Sequence, residues 1–437
     1  MSHRSSSHYC KVGIALGLAC LLMGTLAACG GGSTNNNGPV TITFWSWVPN
    51  LQKAVDLFEQ SHPNIKVKLE NVGAGGNEYT KLTTALKAKS GAPDVVQLTY
   101  EELPTYELSN YLVDLSPYGA AALKSDYVDW AWAQVSQGNK IFAIPQDSGP
   151  MGLIYRQDIF DQYHLAVPTT WTQYAQEAIQ LHKDNPKVFM TDFPSSDGSW
   201  FTALLWQAGS RPYKVNGTTV SLHMDDAAAL QVADYWGNLV KSGAVSTGQD
   251  FTNDWNAGLA NGTIATWITA AWAPTDLEGT ASGTTGKWRV APLPQWTAGA
   301  QVSSNWGGST DAVTVQSKHP AEAAEFAEFL NHDQASATML TQQLSLFPTL
   351  KSVLTAPSFS APVPFYGGQQ VNSIFVQSSQ EVDTSFQWSP FQDYAYTQMT
   401  NQLADAVSGK ITFEQAMHNA QQAVVSYAQA QGFTVTS

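Results

Sequence analysis

From Val40 onward the apolar residues keep changing period, and that alternation restricts the fold more than any single motif. In VTITFW, Val40–Trp45, Val40, Ile42 and Phe44 alternate with threonine, the pattern of a strand. Leu51, Ala54, Val55 and Phe58 then recur at helical spacing, and SHPN at residues 61–64 closes that helix. Ile65, Val67 and Leu69 alternate with Lys66, Lys68 and Glu70, a second strand. Tyr79, Leu82 and Leu86 mark a second helix, stopped by Gly91 and Pro93, and DVVQL at residues 94–98 is a short apolar strand. Strand, helix, strand, helix, strand in that order predicts an open α/β sheet. Ligands of such sheets sit beyond the carboxyl ends of the strands. The residues just past those ends are Trp45-Ser46-Trp47, GAGGN at 73–77, and Thr99-Tyr100-Glu101.

Farther along, residues 141–145 read as a strand that runs into QDSGPMGLIY, a turn-rich break followed by another strand. Residues 170–182, 227–241 and 321–330 carry helical periodicity. Thr412 with Gln415 predicts a capping box ahead of one apolar stripe, Phe413, Met417, Ala420, Val424 and Tyr427, with Gly432 as the stop. There is no internal repeat.

The chain opens differently. Arg4 and Lys11 precede an uncharged apolar stretch at residues 12–26. It is shorter than the ~20 residues a spanning helix needs, so residues 1–28 read as an export signal. The stretch ends in Leu26-Ala27-Ala28-Cys29, followed by glycine, which resembles the bacterial lipobox; the resemblance implies that Cys29 becomes the lipidated N-terminus. The plain alternative is a secretory signal cleaved near Ala28. Residues 29–38, rich in Gly and Asn, have nothing apolar to bury and read as a flexible tether.

Removing residues 1–28 takes away Arg4 and Lys11 and no acid, which moves the formal charge from −14 to −16. Phosphate contacts need Lys and Arg, so a nucleic-acid partner is not expected. The other cysteines, Cys10 and Cys20, lie in the leader, which excludes a disulfide framework or a thiolate metal site in the body. No later run approaches a membrane-spanning length. A body of roughly 400 residues exceeds one core, and two lobes are expected.

Several landmarks occur in order: KAVDLFEQSHPNIKVKLE, GAPDVVQL, AIPQDSGPMGLIYRQDIFDQYHLAVPTTWTQYAQEA, NGTIATWITAAWAP, NWGGSTDAVTVQSKHPAEAAEFAEFL and the helix from Phe413. From Thr41 to Phe433 the chain resembles the extracellular solute-binding protein family 1, sugar-binding lipoproteins of ABC importers. The resemblance implies a two-lobed, type II periplasmic-binding α/β fold that closes on ligand about strand crossovers. Those crossovers are expected near residues 145–151, 304–310 and 346–350. The lobes would be 39–147 with 311–348, and 148–310 with 349–437. It also implies no catalysis, no cofactor, a carbohydrate ligand, ABC permease subunits as partners, a lipid-anchored place outside the cell membrane, and a monomer.

A sugar presents apolar C–H faces to aromatic rings and hydroxyls to carboxylates and amides. Of the 15 tryptophans, several fall where the resembled family lines its cleft. Trp45, Trp272, Trp306 and Trp388 are favoured for stacking on ligand, because small or polar neighbours put them at strand ends or turns. Trp47 and Trp200 divide evenly between stacking and packing. Trp130, Trp132, Trp171, Trp236, Trp288 and Trp296 are expected to pack the lobes. Glu101 and Asp147 are the candidate hydroxyl acceptors; Asp147 also has a turn-capping role open to it with Ser148. Glu102 reads as a solvated helix start, and Asn77 as the cap of a helix from Glu78.

GAGGNE has Glu78 where a dinucleotide loop needs its third glycine. The nine histidines show no H-x-x-x-H pair, so no metal is expected. NGT at residues 216–218 and 261–263 reads as turns. A secreted glycoside hydrolase is the rival from another class; it would need two opposed carboxylates about 5–9.5 Å apart, and no motif marks them. The same fold with a non-sugar solute is a third reading, which the lack of a basic cluster turns away from phosphate.

Overall fold

The structure, a computed structural model, describes residues 38–436; the leader, Cys29 and nearly all of the tether lie outside the described residues. The alternation read from residues 40–98 folds as a parallel start. Strand Val40–Trp45 pairs with Ile65–Glu70 on one side and Val95–Thr99 on the other, both parallel. Parallel pairing needs a crossover each time, and the helices Gln52–Ser61 and Gly76–Ala88 supply it. Two distant strands complete this first sheet. Ser309–Val313 runs antiparallel to Val95–Thr99, and Ala143–Pro145 takes the outer edge beside it. Val95, Val96, Gln97 and Leu98 are all buried in succession, which requires cover on both faces of the sheet.

The second sheet is built on Met151–Arg156, flanked antiparallel by Thr266–Ala270 and Trp288–Pro292. Every residue of Met151–Arg156 is buried. Packed with it are the helices Trp171–Asp184, Gly198–Gln207, Ala227–Ser242, Gln392–Val407 and Phe413–Ala430. Thr170, Asp197, Asp226 and Thr412 each cap one of these helices by accepting a backbone N–H three residues on. The predicted box at Thr412 is half made, because the Gln415 amide reaches Asn419 rather than back to the cap. Asn77 caps nothing. The Gly76–Ala88 helix starts earlier than expected, on Gly75 at φ 56, and Asn77 falls inside its first turn.

Between the sheets three segments lie side by side. The Ser148 amide donates to the Phe347 carbonyl at 2.9 Å, and the Met151 amide to the Ser304 carbonyl at 3.0 Å. Asp147 and Pro150 form isolated bridges to Pro348 and Asn305. A buried amide relay braces the ribbon from the first sheet. Ser46 Oγ donates to Gln97 Oε1 at 2.6 Å, and Gln97 Nε2 to Gln146 Oε1 at 2.8 Å. Gln146 Nε2 in turn donates to Asp311 Oδ2 at 2.9 Å.

Candidate ligand-binding cleft

A cleft of about 700 Å³ opens where the two sheets' loops meet. From the first sheet come Gly75, Gly76 and Tyr79, past the end of Ile65–Glu70, and Thr99, Glu101 and Glu102, past the end of Val95–Thr99. From the second side come Ser196, Asp197, Ser199, Asp250, Asp393 and Tyr396. Two of the three strand ends singled out by the alternation therefore line the cleft. The volume is in the range of small-molecule sites, roughly 300–1,000 Å³.

The lining is acidic. Glu101 sits where the sequence placed it, and burial pushes its carboxyl up to about 7. Glu102 is a correction: it is only 4 % exposed, faces the same cleft and is no solvated helix start. Burial, then the charges of Asp393 and Glu101, push it up to about 9. Asp250 rises to about 7 through burial and repulsion from Asp197 and Asp192. Asp197 is held differently, since its Oδ1 accepts from the Trp200 amide and from Ser199 Oγ, both at 2.7 Å.

Beside these carboxylates lies a group of aromatic rings. Trp306 Nε1 donates to Ser199 Oγ in the cleft wall at 2.8 Å, and Trp272 Nε1 to the Trp306 carbonyl at 3.0 Å. The two indoles meet edge to face at 4.8 Å between centroids. Phe251, next to Asp250, is within 6.2 Å of both. It is 52 % exposed and has φ 56, a conformation that bulky residues rarely adopt. Sequence pattern gives no sign of Phe251, because its loop, STGQDFT, has neither period nor motif. Its φ and its exposure are visible only in three dimensions. Asp250 escapes sequence reasoning for the same reason; Asp393 and Tyr396, on the helix Gln392–Val407, escape it because only the fold brings that helix to the cleft, whereas DGSW marks the stretch containing Asp197 and Ser199.

The remaining candidates lie elsewhere. Trp45 is buried in the first core and donates through Nε1 to Glu70 at 3.0 Å. Trp47 packs edge to face on Tyr79 at 6.4 Å, one ring behind the cleft wall. Trp200 is buried among Phe193 and Trp236, with its N–H committed to the Ile268 carbonyl at 3.0 Å. Trp388 is buried against Trp206 and Phe386. Its small neighbours in sequence suggest a turn residue; they instead let other aromatics cover it. Asp147 Oδ1 accepts from the Ser309 amide at 2.8 Å and from its hydroxyl. It thus ties one crossing segment to another, a cap onto Ser309 rather than Ser148. Trp130, Trp132, Trp171, Trp236 and Trp288 are buried, and Trp296 is half-buried against Trp171 and Tyr235. Among the described residues no three His, Cys, Asp or Glu side chains are placed to hold a metal ion, and no helix is long and apolar enough to cross a membrane.

Residues 45–337 match the family model of bacterial extracellular solute-binding proteins. The chain belongs to that family. A lactose-binding protein of Rhizobium radiobacter is 25 % identical over 385 residues, 83 % of this chain and 85 % of its own. Among solved structures, the ABC transporter associated binding protein from B. animalis subsp. lactis Bl-04, in complex with β-1,6-galactobiose, is 30 % identical with a TM-score of 0.79. The match covers 92 % of this chain and all of that one. A galacto-N-biose/lacto-N-biose I-binding protein of Bifidobacterium longum has a TM-score of 0.81 at 24 % identity, again over 92 % of this chain and all of the other. The fold is the two-lobed, type II periplasmic-binding architecture, and the chain is a solute-binding component of an ABC transporter rather than an enzyme.

Proposed function

We propose that this protein captures a sugar or oligosaccharide outside the cell membrane and delivers it to the permease of an ABC importer. The observation that carries the reading is the cleft itself. Carboxyl groups suited to sugar hydroxyls line it from two sides, Glu101 and Glu102 on one and Asp197, Asp250 and Asp393 on the other. Beside them are the exposed ring of Phe251 and the half-buried indole of Trp272, with the buried Trp306 packed behind. Rings of that kind suit the C–H faces of a pyranose, and carboxylates make the stronger, charge-assisted bonds to its hydroxyls. The sugars named for the lactose-binding relative and the galactobiose complex agree with this chemistry.

The lobes would be 39–147 with 311–348 and 148–310 with 349–437, moving about the three adjacent crossing segments. A ligand that touches both sides favours the closed form, because it binds that form better than the open one. Cys29, diacylated, would anchor the protein; two chains hold on a membrane where one is marginal.

A thermal-shift screen against mono- and oligosaccharides tests the reading. Ligand bound to the folded form alone stabilises it by about 2.7 kcal/mol at a hundredfold excess over Kd, so at least one saccharide should raise Tm by several degrees. No shift with any saccharide, together with a shift from a non-sugar solute, would reject the sugar while leaving the family intact.

A further inference from the structure

The cleft has five carboxylates in its wall, Glu101, Glu102, Asp197, Asp250 and Asp393, and no Lys, Arg or His. None of the five takes part in an ion pair among the described residues. Asp197 is satisfied by its helix cap. Glu102 is not: it is 4 % exposed, looks into the cleft, and its one near neighbour of hydrogen-bonding kind is the carboxyl of Asp393. Two carboxyl groups that line one partly desolvated site disfavour each other's ionisation, and a positive charge between them relieves that cost.

The geometry points to a carbohydrate that carries a basic amino group, its ammonium seated between Glu102 and Asp393. This rests on the sugar reading above and names the class of sugar. An ammonium has three donors and a full charge, so it serves both carboxylates at once, whereas a neutral hydroxyl donates a single bond and leaves the charge uncompensated. A metal ion would need a set of ligands that the described residues do not assemble. A linear polyamine would meet the charge and leave Phe251 and Trp272 without a ring face to cover. Thr105 Oγ1 donates to the Pro390 carbonyl at 3.1 Å, which braces the backbone near both members of the pair. Without the ligand the buried Glu102 carboxyl keeps its proton, and the ammonium takes that proton's place. The other titratable groups near the pair are Glu101, Asp197, Tyr79, Tyr106 and Tyr396. All are acids, so none supplies the missing charge.

The test is titration calorimetry of the whole chain near pH 7 with matched amine and hydroxyl probes. These are glucosamine with glucose, galactosamine with galactose, and the β-1,4-linked glucosamine disaccharide with cellobiose; spermidine is a control. In at least one pair the amine should bind tenfold tighter or more and release a proton, read as a heat that varies with the ionisation enthalpy of the buffer. Glu102→Gln should reduce that preference below threefold. Asp393→Asn, at an exposed position, should do the same should the Gln variant fail to fold. Equal or tighter binding of the hydroxyl member in every pair, or no binding by any amine, overturns the proposal. In that event lactose and other neutral sugars of the wider screen decide whether the sugar reading survives. Spermidine binding in place of every saccharide overturns both.

Discussion

Gly149 and Trp306 are in such close contact that a methyl group on Gly149 would lie 1.9 Å from the Trp306 carbonyl oxygen. The Trp306 amide, meanwhile, donates to the Gly149 carbonyl at 2.8 Å. The opposing obstacle is backbone, which cannot rotate aside as a side chain would. Gly149→Ala should therefore force the crossing segments apart and lower stability by about 3 kcal/mol or more. Gly283→Ala is the control. Gly283 is exposed, and a methyl group there would meet nothing within 4 Å, so the change should stay within about 0.5 kcal/mol. Denaturant titration of both variants measures the difference.

Phe251 and Trp200 should separate binding from packing. Phe251→Ala removes an exposed ring and should weaken saccharide binding more than tenfold, about 1.4 kcal/mol. Its stability should change by no more than about 1 kcal/mol, since half the ring is in water, and alanine, which keeps a Cβ, meets the same positive φ. Trp200→Ala empties a buried site and should cost about 3–5 kcal/mol of stability, with the folded fraction keeping its affinity. Calorimetry with thermal melts checks both; unchanged affinity in Phe251→Ala removes that ring from the site.

Glu78 makes stability depend on pH. It is fully buried, neither carboxyl oxygen has a partner, and burial followed by the charge of Asp311 pushes it up to about 8. Because the folded pKa is the higher one, both states are neutral at low pH and the full stability is present there. As pH rises past the unfolded value, near 4.5, the unfolded chain ionises first and stability falls until about pH 8. The loss from this one group is on the order of 5 kcal/mol at most. Glu78→Gln should flatten the profile between those limits. An equally steep profile in the variant would assign the dependence to Asp311, Glu102 or another raised acid.

Cys29→Ala should move the protein from the membrane fraction to the medium or wash. If the variant stays bound as tightly as the wild type, Cys29 is not the anchor.

Legibility differed between fold and cleft for a physical reason. The strands and helices of residues 40–98 are periodic, and Val40–Trp45 and Ile65–Glu70 occur at the expected positions. The first sheet's other two strands depend on long-range pairing, which no local pattern encodes. In the cleft, Glu101 was legible because it follows a strand end. The tryptophans divided: Trp272 lies against the exposed Phe251. Trp45, Trp200 and Trp388 have the composition of a sugar site, yet their rings are covered by other aromatics or by their own sheet. Phe251, Asp250 and Asp393 come from irregular or distant segments, and only the folded chain brings them opposite Glu101 and Glu102.

The most direct measurement is a crystal structure of the protein with the saccharide that gives the largest thermal shift. The sugar should lie between the lobes, with a ring face on Phe251 or Trp272. Its polar groups should lie within hydrogen-bond distance of Glu101 or Glu102 on one side, and of Asp197, Asp250 or Asp393 on the other. A saccharide bound on an outer surface, with this cleft empty, would contradict the proposed capture site.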